Sequence, residues 1–336
     1  MKLLVTGGCG FIGSNFIRYI LRTHPEDSVV NLDKLTYAGN PENVADVAKD
    51  PRYRFIHGDI CDPGVVDPAA KEADVIVNFA AETHVDRSLF DPGSFIKTDV
   101  DGTRVLLEAA RRYRHQRYIQ ISTDEVYGST AGAAFVESDP LSPSSPYAAS
   151  KAGGDLMALA YHTTYGVPVV ITRASNNFGP FQYPEKLIPL FITNAIDDQP
   201  LPLYGDGLNV RDWLAVEDHC EGVDVVLRRG VVGEVYNVAG GNERTNLEVT
   251  EQILAGLGKP KTLIKPVADR PGHDRRYALS ADKLAALGFR PRRGFEEALR
   301  ETIVWYRTHE AWWRPIKSGE FREYYEKQYG LRSLPR

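Results

Sequence analysis

The chain has 336 residues, 43% hydrophobic and 25% charged, with a net charge of -5, the balance of a globular protein with room for a large core and two lobes. A mild acidic excess offers nothing to nucleic acid or an anionic membrane, and no apolar run approaches the roughly 20 residues of a membrane span. Cys9, Cys61 and Cys220 are odd in number and lack metal-ligand spacing, which fits a reducing cytoplasm and no metal site.

In chain order, residues 2–6, 28–32, 53–57, 75–79, 117–122 and 167–172 are expected strands, apolar on both faces as in a buried parallel sheet. The first runs straight into a glycine turn and is therefore not read as a signal peptide. Helical periodicity marks residues 14–22, 99–114 and 147–165. This alternation predicts an α/β fold with a Rossmann-type doubly wound parallel sheet over residues 1–172. Beyond Thr172 prolines multiply. Strands are expected at 201–204 and 235–239, and helices at 246–257, 280–287 and 295–308. The expectation is a smaller, interleaved C-terminal α/β substrate lobe over 173–330, with the first domain also taking segments from about 208–237. The aromatic run 305–325 is expected to pack a terminal helix.

The string Thr6-Gly7-Gly8-Cys9-Gly10-Phe11-Ile12-Gly13 follows the first strand and opens the first helix. Its glycines permit a tight turn and close approach of backbone to a pyrophosphate, whose charge the helix N-terminus faces. Asp33 ends the second strand at about the 20-residue spacing expected of a ribose-binding carboxylate. It accepts ribose hydroxyls and repels a 2′-phosphate, so NAD is favoured over NADP, although the neighbouring Lys34 weakens the preference. Asp59, with Ile60 beyond it, suits either an adenine amino group or a plain turn. Ala80 and Ala81 end another strand with side chains small enough for a ligand to lie close.

Tyr147 and Lys151 are four residues apart on one helix face. The ammonium is expected to favour the phenolate and give a usable base. Thr123 closes a buried strand at its carboxyl end, where open α/β sheets bind ligands. Asp124 and Glu125 come next, an acid and a base for a second proton transfer, so the chain looks built for oxidation coupled to elimination. In a continuing strand their side chains would point to opposite faces; both reach one substrate only if the chain has turned, which Gly128 allows. The plainer alternative is a helix cap beside a surface acid. Arg211 and Arg270 suit a diphosphate through bidentate pairing, or else form surface salt bridges.

The strings Thr-Gly-Gly-x-Gly-Phe-Ile-Gly, Ser122-Thr-Asp-Glu-Val-Tyr-Gly128 and Tyr-x-x-x-Lys resemble the extended short-chain dehydrogenase/reductase superfamily, and the acidic pair resembles its dTDP-glucose 4,6-dehydratases. Further matches are Asp33-Lys-Leu-Thr-Tyr-Ala-Gly-Asn40, Ala80-Ala-Glu-Thr-His-Val-Asp-Arg-Ser88, Asn176-Asn177, Pro184-Glu-Lys-Leu-Ile-Pro-Leu190, Arg211-Asp-Trp213 and Asp269-Arg-Pro-Gly-His-Asp-Arg-Arg-Tyr277. Cys9 stands where alanine is usual and Thr83 where serine is usual; Cys9 is thereby an expected oxidation liability.

The resemblance implies a tightly bound, recycled NAD and adds Leu35, Thr36, Thr98 and Asn177 to its site. It implies that Tyr147, aided by Lys151 and Thr123, takes the C4 hydroxyl proton of the sugar. Glu125 then takes the C5 proton and Asp124 protonates the departing C6 hydroxyl. Around dTDP-glucose it places His84, Thr123, Asn176, Glu185, Lys186, Leu187, Pro202, Tyr204, Arg211, Asn246, Arg270, His273 and Tyr277. It also implies a homodimer through a four-helix bundle of helices 99–114 and 155–161, which equally suit intrachain packing. A UDP- or CDP-sugar 4,6-dehydratase, a nucleotide-sugar 4-epimerase and a non-catalytic NAD-binding protein are the alternatives. The product would serve rhamnose or another deoxysugar.

Overall fold

The computed structural model describes residues 1–318 and 320–330. Its strands, in chain order, are β1 (Lys2–Thr6), β2 (Ser28–Asp33), β3 (Tyr53–His57), β4 (Val75–Asn78), β5 (Arg117–Thr123), β6 (Val169–Ala174), β7 (Asn176–Phe178), β8 (Leu201–Tyr204), β9 (Val210–Ala215), β10 (Val235–Val238), β11 (Glu243–Thr245) and β12 (Ile264–Val267). Seven of them form a parallel sheet in the order β10-β6-β5-β4-β1-β2-β3. The chain winds outward from β1 through β2 to β3, then restarts at β4 in the other direction. Ligands bind at such a reversal, outside the carboxyl ends of the strands.

The sheet is apolar on both faces because helices cover both. Phe16, Ile17 and Ile20 of helix Phe11–Thr23 and Val223, Val226 and Leu227 of helix Val216–Arg229 pack on one side. Leu106, Ala109 and Ala110 of helix Thr103–Tyr113, with Ala158 and Tyr161 of helix Pro146–Tyr165, pack on the other. Each large aliphatic side chain so buried contributes about 1.5–3 kcal/mol. A second core gathers Phe178, Ile188, Phe191, Trp213, Ile253, Phe295, Tyr306 and Trp313. Around it lie the sheets β11-β9-β7 and β12-β8.

Local chemistry explains where elements match expectation. Helix Asn246–Leu257 starts at a capping box in which Thr245 and Glu248 bond each other's backbone amides. Helix Pro146–Tyr165 has Ser145 as its cap, Pro146 in its first turn and left-handed Gly166 after it. Helix Leu187–Ile196 was not expected. It is buried from Ile188 to Ala195, so it lacks the polar stripe by which periodicity identifies a helix. The helix expected from residue 99 becomes α-helical only at Thr103, because Ile96–Gly102 forms a π-helical turn of the kind found at functional sites. That turn sends the Asp99 carboxylate inward to accept from the Glu82 amide (3.0 Å) and the Ser150 hydroxyl (2.6 Å).

One buried ion pair ties β6 to helix Pro146–Tyr165: Arg173 Nε lies 2.9 Å from Asp155, which also accepts from Ser122. Arg173→Met leaves the Asp155 charge without its partner in the core. It should cost about 3–5 kcal/mol in urea unfolding.

Candidate active site

The turn after β1 presents bare backbone to a groove. Gly7 has φ +69°, and a Cβ there would lie 2.6 Å from the Ala80 amide nitrogen; one on Gly13 would lie 2.4 Å from the Gly7 carbonyl oxygen. Neither position has space for a side chain. The groove passes Gly10, Phe11, Ile12, Asp33, Lys34, Thr36, Asp59, Ile60, Ala80, Ala81 and Thr98 and reaches Tyr147 and Lys151. A glycine cradle at a helix N-terminus, with a carboxylate one strand away, fits a dinucleotide. Asp33 is held in place by the Cys9 and Leu35 amides, both at 2.8 Å. Lys34 turns to Asp59 at 2.8 Å, so its charge is engaged there.

Two expected cofactor residues are absent from the groove wall. Leu35 packs its side chain against the core, and Asn177 donates to the Ser175 carbonyl at 3.0 Å. Cys9 is fully buried and burial pushes its thiol up to about 12. The expected oxidation liability is therefore corrected, since reactivity needs an exposed thiolate.

β5 ends at Thr123, and Asp124–Tyr127 forms a single 3₁₀ turn capped by Thr123 Oγ1, which accepts the Glu125 amide at 3.3 Å. This turn removes Asp124 and Glu125 from strand alternation. The Arg211 guanidinium stabilises both carboxylates, while Arg270 and Lys186 act further on Glu125. Burial, then the Glu125 charge, raises Asp124 well above the carboxylate range. Burial raises Glu125 too, against three cations. Of the two, Asp124 holds a proton better, and such splitting separates an acid from a base. Asp124 Oδ1 accepts from Thr123 Oγ1 at 3.1 Å, whereas the buried Oδ2 has no protein partner.

Tyr147 departs from expectation. Burial and the charges of Glu125, Asp99 and Asp124 push its phenol well above the usual 10, and Thr123 is the neighbour that opposes them. Lys151 donates to the Ile121 carbonyl at 2.6 Å and faces Asp99 and Asp155. Its ammonium is thus drawn to other oxygens and does not offset the burial and charges that favour the neutral phenol of Tyr147.

Arg211 lies 4.2 Å from the Tyr277 ring and donates to the Asp274 carbonyl; Tyr277 donates to the Asp274 carboxylate. Arg270 Nε and the side-chain oxygens of Asn176 and Asn246 are buried without protein partners. Together with Asp124 Oδ2 they suit a ligand rich in hydroxyls and phosphate oxygens. Lys186 lines the groove and donates to Thr83 at 3.2 Å. Other expected substrate residues are committed within the chain. Glu185 lines the groove but accepts from Arg87 and Tyr37, Leu187 begins a buried helix, and Pro202 is buried in β8.

His84, at φ +80°, meets the Tyr324 hydroxyl at 3.0 Å. Tyr204 donates to Asp86 and accepts from Gln328. Helix Glu320–Gly330 therefore reaches the site, beyond its expected packing role. Sequence reasoning missed Tyr324 and Gln328, which no spacing links to residues so far upstream. It also missed Gln182, a groove residue whose buried Oε1 has no protein partner; its position inside the proline-rich 180–184 loop was the available signal.

The GDP-mannose 4,6 dehydratase family model matches residues 4–302. The chain belongs to this dehydratase family. It is 55% identical to a dTDP-glucose 4,6-dehydratase of Streptomyces niveus, over 95% of this chain and 97% of that protein. DesIV, the dTDP-glucose 4,6-dehydratase of Streptomyces venezuelae solved with NAD bound, is 52% identical with a TM-score of 0.93, over 94% of this chain and all of that one. A dTDP-glucose 4,6-dehydratase from Bacillus anthracis, in complex with NAD, is 51% identical with a TM-score of 0.89, over 94% and 100%.

Burial, then Arg270 and Arg211, lowers His273 from 6.5 to about 4. Between those values the unfolded chain binds a proton that the folded site refuses, so this histidine's contribution to stability falls as pH drops from 6.5 to 4. The difference in urea midpoint between wild type and His273→Gln should change across that window, and the imidazole resonances of His273 should titrate near 4.

Proposed function

We propose that this chain is an NAD-dependent dTDP-glucose 4,6-dehydratase, forming dTDP-4-keto-6-deoxy-glucose and water. One observation carries the reading. Asp124 and Glu125 share a single turn within one cluster of cations, beside Tyr147 and Lys151 at the end of a dinucleotide groove. An oxidation at C4 alone would need only the tyrosine and lysine.

Gly7, Gly10, Phe11, Ile12 and Gly13, which line the groove, would hold the pyrophosphate, Asp33 the adenosine ribose, and Asp59 and Ile60 the adenine side. The chemistry a bound NAD would supply is a hydride acceptor for C4 and then a hydride donor for C6. Tyr147 takes the C4 hydroxyl proton, with Thr123 and Lys151 orienting the reacting groups. The 4-ketone acidifies C5–H, which Glu125 removes while Asp124 protonates the C6 hydroxyl as it leaves. Glu125 then returns its proton to C5. Arg211 and Arg270 bind the diphosphate, and Asn176, Tyr204, Asn246, His273 and Tyr277 complete the nucleotide-sugar site. Residues 1–172, joined by helix Val216–Arg229 and β10, form the cofactor domain, and most of 173–330 the substrate lobe.

The protein acts in the cytoplasm as a homodimer, its product serving deoxysugar synthesis such as that of rhamnose. Leu156 and Ile96, each 59% exposed, and the partly exposed Phe90 and Tyr165 supply apolar surface on and beside the helices of the proposed four-helix interface. Among the described residues no helix is long and apolar enough to cross a membrane.

Purified enzyme should form the 4-keto product from dTDP-glucose faster than from UDP-glucose; no ketone from either would refute the assignment. Glu125→Gln should still reduce bound cofactor when substrate is added, yet lose product formation by about 10²–10⁴-fold. Leu156→Asp should convert the dimer to monomer in sedimentation velocity.

A further inference from the structure

The proton inventory of this reaction, taken with the dehydratase reading on which it rests, does not close on the groups named so far. C4 loses a hydride to the cofactor and its hydroxyl proton to Tyr147. C5 loses a proton to Glu125 and C6 loses hydroxide, which leaves as water with the Asp124 proton. The hydride then reaches C6 and the Glu125 proton returns to C5. Cofactor and Glu125 end as they began, but Tyr147 has gained one proton and Asp124 has lost one. Each turnover therefore requires the net passage of a proton from the phenol to the carboxylate.

We propose that the Thr123 hydroxyl carries this proton, so that the proton taken from the C4 hydroxyl at one end of the site is delivered to the C6 hydroxyl at the other. In the relay the phenol O–H bond breaks as a new O–H bond forms on Thr123 Oγ1. The threonine's own proton moves onto Asp124 Oδ1. No oxidant, reductant or further reactant is needed.

The geometry supplies each requirement. Thr123 Oγ1 already donates to Asp124 Oδ1 at 3.1 Å. The Glu125 amide, donating to the same oxygen at 3.3 Å, fixes its position. The hydroxyl also interacts with the Tyr147 phenol, so it stands between the two groups whose proton counts change. Asp124 Oδ2 is buried with no protein partner, leaving one oxygen for the departing hydroxyl while the other is refilled. Asp124 is 3% and Thr123 9% exposed, which limits exchange with bulk water. The relay also resets the site: each proton that Tyr147 passes to Asp124 leaves the phenol ionised for the next C4 hydroxyl and the carboxyl protonated for the next C6 hydroxyl, against the burial and charges that favour the neutral phenol.

Thr123→Val removes the hydroxyl at constant shape, and Thr123→Ser restores it. Rapid-quench kinetics with excess dTDP-glucose should show, for Thr123→Val, a burst of up to one product per site. Slow turnover should follow, about 10²-fold below wild type, and accelerate with imidazole concentration at fixed pH. Wild type and Thr123→Ser should be independent of imidazole. A Thr123→Val enzyme with no burst, or with a rate indifferent to buffer, would overturn the relay, as would a wild-type rate that rises with imidazole. The last measurement stands even if the valine variant folds poorly. Failure of wild type to make ketone at all would instead count against the dehydratase reading.

Discussion

A single hydroxyl at the end of a buried strand determines how this site is built. β5 could have carried its two acids onward in extended form, one to each face of the sheet. Instead Thr123 accepts the Glu125 amide and the backbone closes into one tight turn. That cap satisfies an otherwise unpaired donor and brings two carboxyl groups into one enclosure. The cations contributed from distant parts of the chain, Lys186, Arg211 and Arg270, make sense only once both acids are there to be balanced.

That balance is deliberately uneven. Glu125 faces three cations, while Asp124 lies deeper and is relieved chiefly by Arg211. Two residues adjacent in sequence and chemically almost equivalent thereby acquire different proton affinities. Tyr147 is governed by the same enclosure: the carboxylates that perform elimination also make its ionisation costly. The oxidising and eliminating halves are electrostatically one unit, and altering the charge of either changes the other.

Much of this was legible in the sequence. The glycine turn, Asp33 and the β-branched runs specify the sheet and its groove because they act locally, through backbone clearance and burial on both faces. The Tyr147–Lys151 spacing also fixed their shared helix. What spacing could not convey was direction. It suggested that Lys151 would assist the phenol, yet the ammonium bonds the Ile121 carbonyl and sits among Asp99 and Asp155. Cys9 looked reactive by its position beside the groove, and burial makes it inert. Helix Leu187–Ile196 escaped notice because burial all round erases the amphipathic signal.

The contact between His84 and Tyr324 spans 240 positions of chain, and that between Tyr204 and Gln328 spans 124. Neither can form until nearly all of the described polypeptide has been made. Six of the seven sheet strands and the glycine turn lie within the first 174 residues and close through shorter loops, so they can assemble while the ribosome is still adding residues. The nascent protein thus acquires a framework for its cofactor well before one wall of its sugar pocket exists. In the order of synthesis, the sugar pocket is therefore completed after the cofactor framework.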